Sequence, residues 1–95
     1  MSKSLGGFDR LTERESQVLE GVLAGKLNKR IGEELSIATS TVEIHRANMK
    51  RKVGVTTIAE LVILHLKKKM LNIINNPDLP PAEVISKIEE FFNEN

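Results

Sequence analysis

The chain has 95 residues, no Cys, Trp or Tyr, and a net charge of +1. That length suits one domain with a single modest core and leaves no room for a deep catalytic cleft beside it. Without Cys there are no disulfides or thiolates, and His45 and His65 alone cannot build a zinc site, which normally takes four ligands or three plus water.

Residues 1–10 read as a flexible arm, because Gly6-Gly7 interrupts regular structure. The start MSKSLGGF lacks the apolar stretch of a signal peptide. A first helix is predicted from Thr12, where Thr12-Glu13-Arg14-Glu15 forms a capping box: the hydroxyl and the carboxylate satisfy free backbone N–H groups. Val18, Leu19, Val22 and Leu23 make its apolar stripe, and Gly25 suits its left-handed stop. A short second helix follows, with Asn28 as N-cap and Ile31 and Leu35 on its apolar edge. Gly32 inside it costs about 1 kcal/mol against Ala and is tolerable where another helix crosses closely. A turn over 36–39 should tuck Ile37 into the core.

The third helix is predicted over about 40–53, with Ser40-Thr41-Val42-Glu43 as a second possible capping box and Gly54 as its stop. A fourth, capped by Thr57 with Glu60, runs to about Ile74. Its apolar run is broken by His65 and followed by Lys67, Lys68 and Lys69, so it falls short of the roughly 20 residues of a bilayer span. Those three lysines cover nearly a whole turn and read as a solvated surface. Asn75-Asn76-Pro77 breaks the chain. A fifth helix starts near Pro81 and carries Val84, Ile85, Ile88, Phe91 and Phe92 on one face.

Charge is unevenly spread. Residues 8–70 hold 12 basic and 8 acidic side chains, whereas 71–95 hold one basic and five acidic. Within 44–52, Arg46, Lys50, Arg51 and Lys52 stand without an acid. Such a run is either a solvated face or the footprint of a polyanion. At about 100° per residue, Val42, Met49 and Val53 fall on one side of the third helix, with His45 beside them as a packed, hydrogen-bonded, neutral side chain. Ser40, Glu43, Ala47, Lys50 and Arg51 cluster opposite, with Ile44 at the margin. A small residue, an apolar residue and long cations together are what a major-groove reader uses. The first admits the backbone, the second can touch a thymine methyl, and the cations reach guanine edges or phosphates. Two short helices with a tight turn between them make a helix-turn-helix.

The segment 11–66 resembles the LuxR/NarL/FixJ family of effector domains. The matching residues are LTERE (11–15), Gly25, Asn28-Lys29, Ile31, Leu35, Ile37, Thr41-Val42, His45, Met49, Lys52, Val53-Gly54-Val55 and Ala59-Glu60-Leu61. VEIHRANMKRKVGV (42–55) is close to the FixJ-like branch. The resemblance implies an all-α fold, a four-helix helix-turn-helix bundle, with the fifth helix here added at the C-terminus. The domain is expected over 11–75 and the helical extension over 76–95. It implies bacterial transcription regulation, in a response-regulator setting, with the third helix in the major groove of double-stranded DNA. Thr41 and Lys52 are then expected on phosphates, and Glu43, Ile44, Ala47 and Lys50 toward bases. Asn28, Lys29, Ser40, Arg46 and Arg51 complete the expected phosphate set.

The sequence departs from the family at Ala38, where a Ser or Thr usually starts the recognition helix, so the cap is expected at Thr39 or Ser40. Glu43 then either closes a capping box or reads a cytosine. Gly32 replaces the usual Ala. Two apolar stripes on the fourth helix suggest a homodimer on an inverted repeat, with Leu61, Leu64, His65 and Lys68 at the interface; the alternative is that the fifth helix covers the surplus stripe within one chain. RNA polymerase is a further candidate partner, and the expected location is the cytoplasm, at the nucleoid. Family members usually carry an N-terminal receiver or sensing domain. The chain is either an excised effector domain or a stand-alone regulator, and Met1 with the added helix favours the second.

Other classes fit less well. No cofactor, small-molecule ligand or metal is expected, since there is no phosphate-cradling Gly loop, no Ser-His-Asp arrangement and no defensible carboxylate pair for an enzyme. A helical protein-interaction module that kept the fold without DNA binding is the alternative function. A sigma-factor region shares the helix-turn-helix but fits VGVTTIAEL (53–61) less well.

Overall fold

A computed structural model describes residues 7–93 of the chain, and all its regular structure is helical. After a 3-10 turn at Gly7–Arg10 come α1 (Glu13–Leu23), α2 (Asn28–Leu35), α3 (Thr39–Val53), α4 (Ile58–Ile74) and α5 (Pro81–Asn93). Residues 7–64 and 65–93 fall in two separately compact units, the boundary lying within α4.

In the first unit each helix starts and stops for a local reason. The Thr12 hydroxyl accepts from Glu15 N–H at 3.0 Å and Glu15 Oε1 accepts from Thr12 N–H at 2.9 Å, so the capping box is formed. The same exchange links Thr57 and Glu60, at 3.1 and 3.0 Å. Gly54, at φ 84°, ends α3 in the left-handed region where a side chain would be strained. Asn28 is the first residue of α2 rather than its cap; Leu27 takes the cap position without a side-chain bond. At α3 the cap is Ala38, again without a side-chain bond, so neither Thr39 nor Ser40 caps and the expected Ser40–Glu43 box is absent. Gly32 is buried, but its neighbour is the α2–α3 turn rather than a crossing helix: a Cβ there would stand 2.7 Å from the Ile37 carbonyl.

Val18, Leu19, Ile31, Val42, Met49, Val53 and Leu61 form the core, with Phe8, Leu11, Val22, Leu35, Ile37, Val55 and Leu64 packed around it. Met49 and Leu61 are fully buried, so α3 and the first turns of α4 enter one core. Burying side chains of this size contributes about 1.5–3 kcal/mol each. Residues 7–10, which the sequence reading assigns to a flexible arm, pack against the domain. Gly7 is buried, and a Cβ on it would lie 2.5 Å from the Lys52 carbonyl oxygen, so the chain at 7–10 packs on the end of α3. The part of the arm at 1–6 lies outside the described residues.

The second unit pairs the later turns of α4 with α5. Lys69 Nζ sits 5.6 Å above the Phe91 ring, and the Phe91 and Phe92 rings meet edge to face at 5.5 Å. Among the described residues, no helix is long and apolar enough to cross a membrane.

Candidate nucleic-acid interface

Packing decides what α3 shows. Val42, Met49 and Val53 are buried, which turns Ser40, Glu43, Ile44, Ala47 and Arg51 outward, with Ile44 59% exposed. Lys50 and Thr41 are half-buried at the edges of that face. None of Glu43, Lys50, Ser40 or Thr41 makes a side-chain hydrogen bond or ion pair among the described residues. Ile44 is thus exposed between an unpaired carboxylate and an unpaired ammonium, the mixture of chemistry that a base-reading face uses.

The cations beside this face are less uniform than the sequence implied. Lys29 is exposed at the start of α2. Arg46 donates to Asn28 Oδ1 at 3.1 Å, so these two expected phosphate ligands tie the start of α2 to the middle of α3. Arg51 donates to Asn48 Oδ1 at 2.8 Å on the exposed surface. Lys52 is placed otherwise: its ammonium lies 2.7 Å from Glu15 Oε1, with the Lys52 side chain 21% and the Glu15 side chain 4% exposed. Its charge is thus already paired with a buried carboxylate. Burial works against the ionised Glu15 carboxyl, but Lys52 and the Thr12 N–H outweigh it and hold the pKa below 4.5. Sequence reading found Glu15 as a capping residue but missed its tie to Lys52, because capping is local while this partner lies 37 residues away.

The dimer residues also divide. Leu61 is fully buried and closes the first unit, which takes it off any pairing surface, whereas Leu64 is half-buried and packs against the core with one side. The outward residues of that part of α4 are Ala59, Glu60 and Ile63, the last 53% exposed. His65 and Lys68 fall in the second unit, both half-buried. Burial and then the charges of Lys69 and Lys68 lower the His65 pKa from 6.5. His45 is half-buried as expected, but its buried Nδ1 has no hydrogen-bond partner among the described residues, so the expected hydrogen bond at that nitrogen is absent.

Residues 9–65 match the model of the luxR family of bacterial regulatory proteins. The chain belongs to this family. That makes it a transcription-regulator domain and not an enzyme, and the all-helical order of the first unit agrees with a helix-turn-helix built on α2 and α3. The chain is 48% identical over 56 residues to the transcriptional regulatory protein MctR of Rhizobium johnstonii, covering 59% of this chain and 26% of that one. It is 44% identical over 62 residues to the transcriptional regulatory protein FixJ of Bradyrhizobium diazoefficiens, covering 65% and 30%. It is 47% identical over 55 residues to the response regulator protein TodT of Pseudomonas putida, covering 58% and 24%. The matches thus span less than a third of each relative's length. No solved structure matches the chain.

Proposed function

We propose that the first unit binds double-stranded DNA with α3 in the major groove and regulates transcription there. The observation that carries this reading is the outer face of α3: Glu43, Ile44, Ala47 and Lys50 stand together without protein partners. In the groove Lys50 meets a guanine edge, Ile44 a thymine methyl, and Glu43 a cytosine amine, since no capping box holds it. Ala47 lets the backbone approach. Lys29, Ser40, Thr41 and Arg51 contact phosphates on either side, and the Arg46–Asn28 pair orients α2 against the strand. Lys52 serves by fixing the end of α3 through Glu15.

Two copies bind an inverted repeat, each placing an α3 in successive major grooves about 34 Å apart. With Leu61 in the core and Leu64 packed against it, the pairing surface on the first turns of α4 is the one carrying Ala59 and Ile63. Bound beside a promoter, at the nucleoid in the cytoplasm, the domain acts on transcription through RNA polymerase. Selection from random duplex DNA tests this. An enriched inverted repeat, with half-sites one helical turn apart, is the expected product. Recovery of unrelated sequences only would end the case for base reading.

A further inference from the structure

We propose that the hairpin of residues 65–93 pairs with a second copy of itself, so that the chain is a dimer before it meets DNA. The hairpin has one seam. Met70, Ile73, Val84, Ile88 and Phe91 are its half-buried apolar helix residues, Ile73 and Phe91 meeting across it, and no residue of 65–93 is fully buried. Apolar side chains remain outside it: Leu66 is 38% exposed, Leu71 42%, Ile74 49%, Ile85 59% and Phe92 65%.

The last four share one flank. At about 100° per residue, Leu71 and Ile74 lie on one side of the α4 seam, away from Lys69. Ile85 and Phe92 lie on one side of the α5 seam, away from Lys87 and Glu90. Lys69, Ile73, Lys87, Glu90 and Phe91 line the opposite flank together. The helices are antiparallel, so Leu71, Ile74, Ile85 and Phe92 come together on the other. Two helices with an apolar flank of this extent lack the second layer that a core requires.

Charge identifies the layer. The α4 part of the hairpin carries Lys67, Lys68 and Lys69 with no acid, and α5 carries Glu83, Glu89 and Glu90 against Lys87 alone. A second copy turned so that its α5 covers the first copy's α4 sets acid on base twice, by symmetry. Lys67 borders the apolar flank on α4 and Glu89 borders it on α5, so each Lys67 faces the other chain's Glu89. The product is a four-helix bundle of two hairpins with antiparallel neighbours. Laying α4 on α4 and α5 on α5 forgoes this matching of basic with acidic helices.

Sedimentation equilibrium of the full chain without DNA tests the proposal. The expected mass is twice the 10.6 kDa of one chain. Ile85→Glu and Phe92→Glu change exposed positions, so each should give a monomer with unchanged helical circular dichroism and unchanged affinity for a single half-site. Lys67→Glu and Glu89→Lys should each weaken the dimer by about tenfold, since each homodimer sets like charges together twice. An equimolar mixture of the two should regain wild-type affinity, because only the mixed dimer restores both pairs. A wild type that stays monomeric without DNA overturns the proposal, as does a dimer indifferent to both Ile85→Glu and Phe92→Glu. A mixture no tighter than its components overturns the α4-on-α5 pairing.

Discussion

Glu15 on α1 accepts from Lys52 on α3 at 2.7 Å through the same oxygen that accepts the Thr12 N–H at 2.9 Å. One carboxylate therefore starts the first helix and anchors the end of the helix that carries the base-facing residues. Glu15→Ala removes both links and leaves a partly buried ammonium unpaired. It should lower unfolding free energy by about 2–4 kcal/mol in urea denaturation. A loss under about 0.5 kcal/mol, the scale of an ordinary surface change, would contradict the anchoring role.

The same pair sets a pH dependence. Glu15's folded pKa is depressed below 4.5, so the unfolded chain takes up its proton first as pH falls. The stabilisation is full above about 4.5 and is lost as pH drops through the lower, folded value. Urea midpoints of wild type and Glu15→Gln should differ near neutrality and converge on acidification. A constant gap across that range would show that the charge is not what stabilises.

Much of the first unit was legible because its signals are local. The capping boxes at Thr12–Glu15 and Thr57–Glu60 span three residues, and the stripe of Val42, Met49 and Val53 follows from helical period alone. Contacts between distant segments were not legible. Gly6-Gly7 reads as a breaker, yet Gly7 is buried because its missing side chain admits the backbone of α3 at Lys52–Val53. On α4 the wheel gives two opposed apolar stripes without saying which one meets the core; packing chose Leu61 and Leu64. At the interface, residue types marked the outer face of α3, but only the fold shows that Arg46 is shared with Asn28 and Lys52 with Glu15.

Gly7 gives a direct check on where the domain begins. A side chain there must push the 3-10 turn off the end of α3, so Gly7→Val should lower stability by about 1–3 kcal/mol in thermal or urea unfolding. Were residues 7–10 a free arm, the substitution would leave the transition unmoved.

Leu61 and Ile63 lie two residues apart on α4 with opposite fates, 0% against 53% exposed. Leu61→Ala should cost about 2–5 kcal/mol of stability, the scale for emptying a core leucine site. Ile63→Glu should leave the melting transition nearly in place and reduce the advantage of a two-half-site duplex over one half-site. The reverse assignment, with Leu61→Ala neutral for folding and damaging only to pairing, would restore Leu61 to the surface.

The account rests on α3 as a DNA reader. Fluorescence anisotropy should be measured across a salt series on the selected site and on an unrelated duplex, for wild type and for the Ile44→Ala/Lys50→Ala double variant. Wild-type affinity should fall linearly, log against log, as salt rises, because phosphate contacts release counterions. The double variant should lose about 1–3 kcal/mol per base contact on the selected site and much less on the unrelated duplex. Binding insensitive to salt, and equal for both proteins on both duplexes, would contradict the central claim.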